Sequence, residues 1–308
     1  MTVSRRTLLK TLAVGGAVGA AGAATSFAGD AVASEGAPPV PPDARGLLYD
    51  STLCIGCQTC TLACQRANGM PIEKSVRMVN GAPFDFPLDT SSDARTVIKL
   101  HEKGDRWAFM KMQCMQCLEP SCTKACMLGS LQKRQYGVVT WDGIRCTGCR
   151  YCQIACPYHV PKFQWNEAIP KIVKCDLCLE RKDKKGVPAC AEVCPREAVI
   201  TGTREALLAT AKKRMADHPA RYNPKIFGEH DGGGNQSMVL APAGVAFTDL
   251  GLPDLGEEPP SRLAMTIQHT AYKGFIAPAV LYVAAAVTIF RNMSAERKAE
   301  GKHGEDHR

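Results

Sequence analysis

The sequence predicts an α+β fold: two pseudo-symmetric halves of short β-hairpins and short helices around cysteine-rich loops, ending in a C-terminal transmembrane helix. Three observations predict it. Sixteen cysteines fall into four groups of four, 27 glycines and 20 prolines interrupt the chain too often for long helices, and the run from Gly274 to Phe290 carries no charge. With 308 residues, 45% hydrophobic and 22% charged, the chain holds about two domains with ordinary cores, which excludes wholesale disorder. Cysteine is about 5% of it, below the roughly 8–10% of a disulfide-built miniature scaffold. The net charge of +8 comes from basic residues scattered without aromatic platforms, aromatics being only 6%, and this points away from nucleic acid.

The elements follow in chain order. Residues 1–33 read as a twin-arginine signal peptide: Ser4-Arg5-Arg6-Thr7-Leu8-Leu9-Lys10, then an uncharged run from Thr11 to Ala24, then the small-x-small cleavage site Ala31-Val32-Ala33. Residues 34–45, rich in Pro and Ala, read as a linker. Residues 46–202 carry the cysteines between strand-like segments. Thr96 to His101 and Trp107 to Met112 form a hairpin around Glu102-Lys103-Gly104-Asp105, Val138 to Trp141 precedes the third cysteine group, and Ala198 to Thr201 follows the fourth. In residues 203–262, Thr203 caps a helix over Arg204 to Met215 whose Leu207, Leu208 and Ala211 make an apolar stripe, and the remainder reads as extended loop. Within it, Asp231-Gly232-Gly233-Gly234-Asn235 reads as a flexible turn that lacks the Lys-Ser/Thr of a phosphate loop.

Residues 271–291 read as the transmembrane helix. The uncharged run gives roughly 26 Å at about 1.5 Å per residue, and Ala271, Tyr272 and a snorkelling Lys273 extend it towards the hydrocarbon thickness. Arg291, Arg297, Lys298, Lys302 and Arg308 lie beyond it, against Arg262 and Lys273 before it. The positive-inside bias therefore places residues 292–308 in the cytoplasm and the cysteine domain on the periplasmic face.

Cys54, Cys57, Cys60 and Cys64 (CIGCQTCTLAC) share the spacing C-x2-C-x2-C-x3-C with Cys146, Cys149, Cys152 and Cys156 (CTGCRYCQIACP). Cys114, Cys117, Cys122 and Cys126 widen the middle gap, and Cys175, Cys178, Cys190 and Cys194 widen it further. Export makes disulfides chemically available, but three thiols so close together cannot all pair locally without severe strain. A tetrahedral zinc site has no use for a third cysteine in the same turn. Three close thiolates with a distant fourth suit a [4Fe–4S] cube, and this is the bacterial ferredoxin run, in which the fourth cysteine serves the neighbouring cluster. Sixteen ligands then correspond to four [4Fe–4S] clusters in two dicluster ferredoxin-like domains. Twin-arginine substrates cross the membrane folded, so clusters inserted in the reducing cytoplasm survive export. With every cysteine assigned, no catalytic constellation remains, and the chain reads as an electron-transfer component without a catalytic site of its own. Lys124, Arg145, Arg150 and Lys174, each within two residues of a ligand, are candidates to raise cluster potentials. The basic run Arg181-Lys182-Asp183-Lys184-Lys185 reads as a solvated loop.

These quartets, with LYDSTLCIGCQTC from Leu48, CTGCRYCQIACPYHVPK from Cys146, EVCPREAVITGTRE from Glu192 and QHTAYKG from Gln268, resemble the four-cluster ferredoxin-like electron-transfer subunits of membrane-bound oxidoreductases. Within them the chain looks most like the HybA-type subunits of periplasmic nickel–iron hydrogenases. The resemblance implies crossed ligand sets: Cys54, Cys57, Cys60 with Cys194 (set A); Cys175, Cys178, Cys190 with Cys64 (set B); Cys114, Cys117, Cys122 with Cys156 (set C); Cys146, Cys149, Cys152 with Cys126 (set D). It also implies two partners, the small subunit of a [NiFe] hydrogenase and an integral membrane quinone-reducing subunit. The runner-up it implies is the iron–sulfur beta subunit of a formate dehydrogenase or another molybdopterin oxidoreductase. Gln65 and Met127 stand where the family's Cys-Pro signature has proline, which alters the turn after the ligand but not the ligand count.

Overall fold

The computed structural model describes residues 40–72, 89–103, 106–181, 186–262, 274, 278 and 280–294. Residues 37–262 form the larger of two compact units. Along the larger unit run β1 (Arg45–Asp50), α1 (Thr59–Ala67), β2 (Val97–Lys103), β3 (Arg106–Met112), α2 (Ser121–Lys124), β4 (Leu131–Lys133), β5 (Val139–Trp141), α3 (Tyr151–Ala155), β6 (Lys162–Phe163), β7 (Ile172–Val173), α4 (Ala189–Glu192), β8 (Val199–Thr203), α5 (Arg204–Asp217) and β9 (Ser237–Leu240).

The sheet that organises this unit is three-stranded, in the order β8-β1-β9, with β1 antiparallel to β8 and parallel to β9. Its central strand is buried from Gly46 onward. Successive side chains point to opposite faces. Leu48 packs with Leu207, Ala211, Tyr222, Ile226, Met238 and Leu240 beneath α5, while Leu47 and Tyr49 join the core that holds the cysteines. Gly46 is required by close approach, because a Cβ there would lie 2.3 Å from the backbone oxygen of Gln236. The helix α5 starts as the sequence predicts: the Thr203 hydroxyl accepts from the Ala206 amide at 3.3 Å, Glu205 sits in the first turn and Arg214 in the last.

Hairpins supply the rest. β2 pairs with β3 as the predicted hairpin, β4 with β5 and β6 with β7. The pairing partners of β5 and the two-residue hairpin β6–β7 have no alternating pattern long enough to be read from sequence. Residues 203–262 are more than helix and loop, since β9 completes the central sheet. The turn read as flexible is in fact a buried clasp. Asp231 accepts from the Gly228 amide at 2.9 Å and from Lys225 at 2.5 Å, and the Asn235 amide group donates to the Tyr158 hydroxyl at 3.0 Å. The Gln236 side chain donates to the carbonyls of Arg45 at 2.5 Å and Tyr136 at 2.8 Å, joining β1 to the β4–β5 region.

The predicted signal peptide, residues 1–33, lies outside the described residues, as do Lys182 to Lys185 of the basic run. Arg181 is no free cation: it donates to Glu192 at 2.6 Å. Of the predicted transmembrane segment, residues 271–291, the described residues 274, 278 and 280–291 are helical, and the helix continues to 294. Among the described residues no helix is long and apolar enough to cross a membrane.

Candidate iron–sulfur sites

All four quartets use one backbone device. The residue just before the second cysteine is left-handed in each: Gly56 (φ 68°), Gln116 (φ 51°), Gly148 (φ 71°) and Leu177 (φ 53°). Glycine adopts this region freely, whereas Gln116 and Leu177 are strained there and need support from their surroundings. Gln116 has it. Its side chain accepts from the Val139 amide at 2.8 Å and donates to the Cys175 carbonyl at 2.7 Å, and its own carbonyl accepts from the Gln236 amide at 3.0 Å. The third cysteine of each quartet then falls in a short helix: Cys60 in α1, Cys122 in α2, Cys152 in α3 and Cys190 in α4. Helix α1 packs against α4, and α2 against α3. The outer two quartets are thereby brought together, as are the inner two.

Two cavities are lined by cysteines from both members of a pair. One has Cys54, Cys57, Cys60 and Cys194 in its wall, with Tyr49, Ile98 and Pro195. The other has Cys126, Cys146, Cys149 and Cys152, with Met127, Trp141 and Ile172. Mutual electrostatics group the remaining sulfurs. Burial pushes the Cys64 thiol up to about 12, and Cys190 and Cys178 act in the same direction. Burial raises Cys117 strongly, followed by Cys114, Cys156 and Cys122. Cys152 is pushed up to about 11 by burial and then by Cys126, Cys146 and Cys149. None of the sixteen cysteines is in a disulfide.

The sets also have an order. Burial holds Cys60 of set A at about 12, with Cys190 of set B among its neighbours, while Cys175 of set B feels Cys114 of set C after burial and its closer neighbours. Cys122 of set C, held by burial at about 12, has Cys152 of set D nearby. Neighbouring sulfurs thus link the first quartet to the fourth, the fourth to the second and the second to the third. Cys57 of the first quartet and Cys149 of the third are the exposed cysteines.

Buried thiols with such raised pKa values are neutral near pH 7 unless a strong cationic centre binds them. Iron is such a centre, and it deprotonates a coordinating thiol outright. Among the described residues no group of three or more His, Cys, Asp or Glu is gathered so as to hold a single metal ion. Four sulfurs spread around a cavity suit a multi-atom core. Donors already point at several sulfurs: Thr59 Oγ1 to Cys57 at 3.3 Å, the Ser130 amide to Cys126 at 3.2 Å and the Leu177 amide to Cys175 at 3.4 Å. Such hydrogen bonds are among the levers on cluster potential.

The cations near the ligands differ from expectation. Lys124 is exposed, Arg145 leaves 57% of its side chain in solvent beside Asp142, and Arg150 stacks over Trp165 at 4.6 Å. Only Lys174 of the four is buried, at 4% exposure. A fifth, Lys111, is buried at 1% and was not legible, because a lysine in a hairpin strand is ordinarily solvated.

Comparison with known proteins agrees with this chemistry. Two family models, each described as a 4Fe-4S dicluster domain, match residues 53–130 and 105–204. The chain is 36% identical to the hydrogenase-2 operon protein HybA of Escherichia coli O157:H7, over 99% of both chains. It is 32% identical to the formate dehydrogenase iron-sulfur subunit of Haemophilus influenzae, over 76% of this chain and 75% of that one. Full-length similarity to HybA, together with two dicluster matches over the paired quartets, places this chain in the HybA family of 4Fe-4S dicluster proteins.

Proposed function

We propose that the chain is the electron-transfer subunit of a periplasmic [NiFe] hydrogenase, relaying electrons between the hydrogenase small subunit and an integral membrane quinone-reducing subunit. The observation that carries this reading is that sulfurs of successive quartets neighbour one another through the domain while Cys57 and Cys149 are exposed at its surface. We assign sets A to D, as defined above, to four [4Fe–4S] clusters, each of which supplies a one-electron carrier when bound. The cysteine-lined cavities and the packing of α1 on α4 and α2 on α3 support the crossed assignment. The protein's own work is to hold the sulfurs, keep water from the inner sets and aim N–H donors at the thiolates. Residues 46–202 are the cluster-bearing domain, with 203–262 as its clasp.

We further propose that residues 1–33 direct twin-arginine export, that 34–45 is a linker, and that residues 271–291 anchor the chain in the membrane with 292–308 in the cytoplasm. The anchor reading draws support from the apolar side chains exposed on residues 280–294, among them Tyr282 at 79%, Phe290 at 73% and Val283 at 63%. Similarity to a formate dehydrogenase iron-sulfur subunit supports the second reading, a molybdopterin partner. The two separate on the metal of the complex that copurifies with the tagged chain from detergent-solubilised membranes. Nickel without molybdenum is expected, and molybdenum without nickel moves the assignment to the second reading.

A further inference from the structure

Lys111 and Lys174 are buried, and neither ammonium has a carboxylate partner among the described residues. Lys111 Nζ donates to the Thr96 hydroxyl at 2.8 Å and to the Gln113 side-chain oxygen. Lys174 Nζ donates to the Cys175 carbonyl at 2.8 Å and to that of Val139. All four acceptors are neutral. A buried cation without a counter-charge costs several kcal/mol, so such a residue persists only where something nearby is negative.

The negative groups are the cysteine sulfurs. Cys190, Cys60, Cys175 and Cys64 lie within electrostatic reach of the buried Lys111 ammonium. Three of those four belong to set B and one to set A. Lys174 sits at the next junction: Cys122 and Cys156, both of set C, lie within its electrostatic reach, and its Nζ donates to the carbonyl of Cys175 in set B. Arg95, the third cation near set B, is already neutralised by Asp176 at 2.6 Å. Set D has Arg145 and Arg150 nearby, one largely in solvent and one stacked on aromatic rings.

We propose that Lys111, at the junction of sets A and B, and Lys174, at the junction of sets B and C, are fixed buried cations that raise the reduction potentials of the interior clusters. The physical reason is sign and dielectric. Gaining an electron makes a thiolate-bound core more negative, and a cation held in a low-dielectric interior favours the more negative form, whereas a solvated arginine is screened. Neither lysine ligates iron; both act on potential. The inference rests on the four-cluster reading.

The test is an EPR-monitored redox titration of the full chain, purified anaerobically with its clusters, as wild type, Lys111→Met, Lys111→Arg and Lys174→Met. Iron and acid-labile sulfide at one of each per cysteine in the wild type test the four-cluster reading separately from the lysines. In Lys111→Met at full iron content, the more positive of the potentials should fall by at least a tenfold change in the one-electron equilibrium, which is about 59 mV. Lys111→Arg, which keeps the charge, should stay within a third of that change. If Lys111→Met does not assemble its clusters, Lys174→Met carries the test with the same expected fall. Unchanged potentials in the assembled methionine variants would overturn the proposal, as would an arginine variant that falls as far as methionine.

Discussion

Replacing Asp50 with alanine removes the acceptor at which the central strand, α5 and the segment after it meet. Asp50 ends β1, wholly buried, and accepts from the Thr52 amide at 3.0 Å, the Thr52 hydroxyl at 2.7 Å, the Tyr222 hydroxyl at 2.9 Å and Arg214 at 3.0 Å. Deleting one partner of a buried ion pair costs about 3–5 kcal/mol because the other charge is left uncompensated. Arg214 keeps 21% of its side chain in solvent, so water recovers part of that loss and the lower end, about 3 kcal/mol, applies. This is on the order of a hundredfold in the unfolding equilibrium. Loss of clusters makes unfolding irreversible, so the observable is a rate, the bleaching of the brown cluster absorption on anaerobic heating. Asp50→Ala should bleach roughly ten- to a hundredfold faster than wild type, depending on how the loss divides between folding and unfolding rates. In a double-mutant cycle, Arg214→Met should cost much less in the Asp50→Ala background than in wild type. Bleaching within threefold of wild type, or strict additivity in the cycle, would refute the argument.

Three further outcomes follow from the same structure. Leu207→Ala should cost about 2–5 kcal/mol, read as a lower midpoint of thermal bleaching, because Leu207 is buried between α5 and the central sheet. Gly46→Ala should destabilise at least as much as a typical core truncation, since its Cβ has the Gln236 carbonyl in its way, and limited proteolysis should then cut within the segment that contains β9. Arg5→Lys combined with Arg6→Lys should leave the chain in the cytoplasm with its clusters assembled, by fractionation and visible spectrum; unchanged periplasmic delivery would contradict the export reading.

What was legible in the sequence was local. The hairpin of β2 and β3 announces itself by strand-forming residues around a turn, α5 by Thr203 and a stripe at helical spacing, and the cysteine groups by repeated spacing. What was not legible depends on contacts distant along the chain. β1 is buried on both faces, so Leu47, Leu48 and Tyr49 form a continuous apolar run without alternation, and its parallel partner β9 lies almost two hundred residues away. The glycine cluster before β9 has the composition of a loose turn, but buried bonds from Asp231, Asn235 and Gln236 fix it. Gly56 and Gly148 hint at a left-handed residue, whereas Gln116 and Leu177 adopt the same conformation without any compositional sign. Lys111 sits between Met110 and Met112 on a hairpin strand, and nothing local distinguishes it from a solvated lysine.

The central claim is that four clusters are held by ligand sets that cross between quartets, and iron anomalous scattering from crystals of the anaerobically purified chain tests it most directly. Four iron peaks are expected, in the order A, B, C, D. Cys194 should close the site of Cys54, Cys57 and Cys60, and Cys64 that of Cys175, Cys178 and Cys190. Cys156 should close the site of Cys114, Cys117 and Cys122, and Cys126 that of Cys146, Cys149 and Cys152. Peaks each enclosed by a single quartet, with Cys64 completing the site of Cys54, Cys57 and Cys60, would contradict the account.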